Sequence, residues 1–155
     1  MTKKVVGLDK LNRKLALLPI VARKRIREAM QQGANEIVAM MKSLVAVDSG
    51  DLRDSIGWTW GKAPKYSQRV ASLKSSDGDL TLTIYAGNTK VRYAHLVEFG
   101  AAPHIAGGMF EGAMHPGAPA QPFFFVSFRA NRKRVKGRIT RAVNKSAKEV
   151  AAGGG

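Results

Sequence analysis

Apolar residues at Ile26, Met30, Gly33, Ile37, Met40 and Leu44 follow one another at spacings of four, three, four, three and four. That rhythm places them on a single stripe of an α-helix. The helix it predicts starts at Pro19 and runs to about Ala46, on the order of 40 Å at 1.5 Å per residue. A helix with one long apolar stripe needs a second layer to cover it. Gly33 stands on the stripe although glycine weakens helices, which marks a place where another element comes close. Met30, Met40 and Met41 read as core. Upstream, Leu8, Leu11, Leu15 and Leu18 predict a shorter amphipathic helix with Lys10, Arg13 and Lys14 on its wet side. Pro19 is expected to end or kink it, and also suits the first turn of the next helix.

Asp48-Ser49-Gly50-Asp51 stops the helical pattern, with Asp48 a candidate cap for a short turn over Asp51-Leu52-Arg53. From Ser55 the rhythm changes to alternation. Ile56, Trp58 and Trp60 share one face, opposite Ser55, Gly57 and Thr59, as in a half-buried strand. Residues 68–74 and 80–86 flank Ser75-Ser76-Asp77-Gly78-Asp79, an Asp-Gly hairpin signal. Leu80, Leu82 and Ile84 are expected to point inward, and Thr81, Thr83 and Tyr85 outward. Three antiparallel strands over residues 55–86 then need the long helix across one face.

After the turn Gly87–Val91, residues 92–99 read as one or two helical turns closed by Gly100, with Tyr93, Leu96 and Val97 inward. Tyr93, Val97 and Phe99 are expected to be buried with Leu52 and Ile56. Two readings stand for Glu98: a buried acid paired with a cation, or an exposed helix carboxylate. Residues 101–121 hold four Gly, three Pro and six Ala without periodicity. They predict a loop without regular structure whose Ile105, Met109, Phe110 and Met114 order against a partner. His95, His104 and His115 fit no usual metal spacing.

Phe123, Phe124, Phe125 and Phe128 open a last helix over residues 122–150, continued by Val135, Ile139, Ala142, Ser146 and Val150. Its other faces carry Arg129, Arg132, Lys133, Arg134, Lys136, Arg138, Arg141, Lys145 and Lys148. Across the chain, 26 Lys and Arg against 11 Asp and Glu leave a net charge of +15. Such a surplus points to a polyanion or an acidic protein partner, or is a solvated basic face. The chain has no cysteine, so disulfides and thiolate metal sites are excluded. The basic first residues lead into no long apolar run, and neither a signal peptide nor a membrane span is expected. No P-loop, dinucleotide fingerprint, catalytic triad or paired carboxylates stand out. With no site for catalysis, metal or cofactor in view, the expectation is a single α+β domain of 155 residues that is not an enzyme and takes no cofactor.

Three stretches, in order, carry a resemblance: Val47-Asp48-Ser49-Gly50-Asp51-Leu52-Arg53-Asp54-Ser55-Ile56, then Tyr93-Ala94-His95-Leu96-Val97-Glu98-Phe99-Gly100, then Pro122-Phe123. The chain resembles the small neck proteins of long-tailed phages, the head–tail joining or tail-completion family. Asp48, Ser49, Gly50, Leu52, Ser55, Ile56, Tyr93, Glu98, Phe99, Gly100, Pro122 and Phe123 are the matching positions, with Ser49 where Thr is usual and Ala101 where Thr often follows Phe-Gly. The resemblance implies a structural virion protein of the neck, made in the host cytoplasm. It implies a homo-oligomeric ring, a hexamer or alternatively a dodecamer, around the channel through which double-stranded DNA leaves. Its partners would be the neighbouring connector and tail proteins. The alternative is a basic nucleic-acid-binding protein that docks its last helix on phosphates.

Overall fold

The computed structural model describes residues 8–74 and 80–153. Helix α1 spans Leu8–Leu44 and α2 is one turn, Asp51–Asp54. Strands β1 (Gly57–Trp60), β2 (Gln68–Lys74) and β3 (Thr81–Ala86) follow, then α3 (Ala94–Phe99). The two short strands β4 (His104–Ile105) and β5 (Met114–His115) precede the closing helix α4 (Phe124–Ala151). The α+β class read from the change of periodicity is the class observed. The expected Asp-Gly hairpin loop, residues 75–79, lies outside the described residues, as do the side chains of Leu8, Leu11 and Leu15.

Pro19 does not break the N-terminal helix, which runs through it as one element. Proline lacks the N–H that would bond one turn back, so continuation there forgoes one hydrogen bond. The stripe also needs correction at its end. Met30, Ile37, Met41 and Val45 are buried, whereas Met40 is half-buried and Leu44 exposed. A strict seven-residue repeat drifts about 20° per heptad around a straight helix, so the inward line moves to the next residue.

The chain divides into two compact units. One comprises residues 1–33 and 133–155, the other residues 34–132. In the first, Ala29, Met30, Val135, Ser146 and Val150 are buried. Gly33 meets Val135 here: a Cβ on Gly33 would sit 2.6 Å from Val135 Cγ1. The glycine on the stripe marks the close approach its position predicted. Arg25 donates from Nε and Nη2 to Glu149 Oε2 in the same unit.

In the second unit the sheet has the order β1-β3-β2, antiparallel throughout. The central strand β3 buries Leu82, Ile84 and Ala86 completely, as the alternation predicts. Thr83, expected outward, is also buried, and its hydroxyl donates to the Gly61 carbonyl at 2.5 Å. The last part of α1 is fixed to the sheet by the Trp58 indole N–H, which donates to Asn35 Oδ1 at 2.7 Å. The first part of α4 belongs to this unit too, and Asn131 Nδ2 reaches Met40 Sδ at 3.2 Å.

Candidate interaction surfaces

The family-motif stretches meet in the second unit. Leu52 and Ile56 are buried as expected. The Ser55 hydroxyl donates to the Leu52 carbonyl at 2.6 Å and accepts the Gly87 N–H at 3.0 Å, tying α2 to the end of β3. Gly50, at φ 91°, precedes α2 in a left-handed conformation that suits glycine. Asp48 does not cap this turn. The Ser49 hydroxyl donates instead to Asp51 Oδ2 at 2.7 Å.

Glu98 is buried, and its partners are backbone groups rather than a cation. Oε2 accepts the N–H of Phe123 at 2.6 Å and of Phe124 at 2.9 Å, and Oε1 accepts that of Phe125 at 3.3 Å. The first N–H groups of a helix have no partner within it, and its N-terminus carries partial positive charge. A carboxylate placed there satisfies both, which is why an acid can occupy the core here. Phe123 and Phe124 are buried beside it and meet edge to face, with ring centroids 4.4 Å apart.

Inward placement of Glu98 turns its neighbours outward. Phe99, expected in the core, is 67% exposed, and Tyr93 and Leu96 are exposed too, while Val97 is half-buried. Ala94 and Glu98, one turn apart, form the buried side of α3. Phe99 still touches the protein through Phe125, at a centroid distance of 6.0 Å. Asp48, Leu52, Tyr93, Leu96, Val97 and Pro119 are among the residues that line a hollow of about 280 Å³.

Residues 101–121, expected to lack regular structure, form an arm. Ala101 and Ala118 exchange N–H···O bonds at 2.9 Å at its base, β4 pairs with β5, and Ala106 N–H donates to the Ala113 carbonyl at 2.7 Å. Gly117 is required at the base: it has φ 80°, and a Cβ there would lie 2.2 Å from the Ala101 carbonyl oxygen. His104 and His115 face each other across β4 and β5 with rings stacked at 4.9 Å. A single turn, Gly108–Phe110, forms the tip. All four side chains expected to meet a partner are exposed: Ile105, Met109, Phe110 and Met114, with Met109 at 95%. His95 is not in the His104–His115 pair.

The cations of α4 fall in both units. Arg129 and Arg132 are exposed in the second. In the first, Lys133, Arg134, Lys136, Arg141 and Lys145 are exposed and Arg138 is half-buried. There Arg25, Arg138, Arg141 and Lys145, with Glu28, border a shallow hollow of about 300 Å³. Among the described residues no helix is long and apolar enough to cross a membrane.

The exposed apolar arm and the cationic helix are the prominent surface features of this small α+β chain. A family model described as "Bacteriophage HK97-gp10, putative tail-component" matches residues 9–100. The chain belongs to this HK97-gp10-like family, a structural family of tailed-phage particles. The match takes in α1 to α3 and ends at Gly100, where the arm begins. No curated protein and no solved structure matches the chain.

Proposed function

We propose that this tail-component protein acts at the head–tail connection of the particle, as a homo-oligomeric ring around the channel through which DNA leaves. A hexamer is the favoured ring. The observation that carries this reading is the arm: a built hairpin holding Ile105, Met109, Phe110 and Met114 in solvent. Four large apolar side chains kept exposed on a braced element fit a surface that becomes buried on assembly. In this reading the cations of α4 serve DNA passing the ring, through phosphates and without sequence preference. The motif residues have structural roles: Leu52 and Ile56 in the core, Ser55 and Gly50 setting the turn, and Glu98 fixing the start of α4.

The test is a phage that lacks this chain. Electron microscopy of the lysate should show filled heads and finished tails that remain unjoined, and adding the purified protein should join them. Normal joined particles in the absence of the chain would remove the neck assignment.

A further inference from the structure

We propose that the arm of one copy seats in the hollow beside α2 and α3 of a second copy. This rests on the ring reading and names the contact that would build the ring.

Two chains of net charge +15 repel, so contact between copies favours surfaces free of cations. From Tyr93 to Phe128 the sequence has no Lys or Arg, although the whole chain carries 26. That stretch contains α3, the arm and the start of α4. Its two carboxylates are Glu98, already engaged by α4, and Glu111 near the arm's tip. The hollow has no Lys or Arg in its lining either. The chain therefore offers a protruding apolar feature and a recessed one, both without cations.

Shape and position agree with charge. Ala118 and Pro119 border the hollow and lead out of the arm, so each copy carries finger and socket side by side. The hollow has room for a side chain of the size of Phe110 or Met109. Asp48 lines it, and Asp51 and Asp54 follow, all three exposed, with the exposed Arg53 between the last two. That corner, three carboxylates against one cation, would attract the cations of a neighbour's α4. An unrelated acidic partner would instead be drawn to α4 and away from the neutral arm. Because finger and socket are different surfaces, the contact is head-to-tail, and repetition with the right rotation closes a ring.

The chain contains no cysteine, so single cysteines can report the contact cleanly. Full-length Phe110→Cys and Leu96→Cys proteins, both substituted at exposed positions, are mixed and oxidised. The expected product is a disulfide between the Phe110→Cys and Leu96→Cys peptides of two copies, identified by mass spectrometry. Phe110→Asp should weaken self-association by roughly tenfold or more. Rings that form without this cross-link would leave the ring reading standing and overturn the socket. Cross-linking of the arm to a tail protein instead of a second copy would also overturn it. A full-length chain that stays monomeric at high concentration and in the joined particle would overturn both.

Discussion

Glu98 Oε2 accepts the backbone N–H of Phe123 at 2.6 Å, across a sequence separation of 25 residues. This bond joins the second motif stretch to the third and fixes where α4 begins. It also explains why an acid and a proline-aromatic pair belong to one structural device. Replacing Glu98 by Ala leaves the buried N–H groups of Phe123 and Phe124 without that acceptor. The expected loss is roughly 2–3 kcal/mol, measured by urea denaturation. Glu98→Gln, which keeps an acceptor but not the charge, should lose less. Equal stability of Glu98→Ala and the parent would show that the bond contributes nothing.

Phe99 and Leu52 should behave oppositely, although both lie in motif stretches. Phe99→Ala, at an exposed site, should cost less than about 1 kcal/mol, whereas Leu52→Ala in the core should cost about 2–5 kcal/mol. Thermal melts of the two variants decide it. A large drop for Phe99→Ala in the isolated subunit would contradict its placement.

Gly33→Ala sets two effects against each other. Alanine raises helix propensity by about 1 kcal/mol, but its Cβ would press on Val135, whose β-branched side chain has little freedom to yield. The clash should win, with a net cost of about 1–2 kcal/mol. The double variant Gly33→Ala, Val135→Ala should show favourable coupling in a double-mutant cycle. Additive costs would mean that the two residues do not press on each other.

Periodicity located the long elements and failed on the short ones. The stripe from Ile26, the alternation through Leu82 and Ile84, and the run from Phe124 to Val150 marked the elements and most of their buried faces. Gly33 was legible because a glycine weakens its own helix, and on an apolar stripe that loss is offset where a neighbour needs the space. Spacing puts Tyr93 and Phe99 on the wrong side because α3 has only six residues, too few to choose a face. The acid won the inward position there through N–H groups 25 residues away, which no local pattern contains. The arm leaves no periodic trace because two-residue strands show no alternation, and its strands are held by backbone-to-backbone bonds. One signal was available in the sequence: the absence of Lys and Arg from Tyr93 to Phe128.

Lys136, Arg141 and Lys145 are exposed on α4. If they contact DNA, reversing all three to Glu should weaken binding to duplex DNA of any sequence. It should also reduce the slope of log affinity against log salt by about 2–3. The circular dichroism spectrum should not change. An unchanged salt slope would make these cations a solvated face.

Cryo-electron microscopy of the joined particle would locate this chain and its arm. The predicted result is a closed ring of this chain between head connector and tail, with each arm on the neighbouring copy. Density for the chain along the length of the tail, or its absence from the particle, would contradict it.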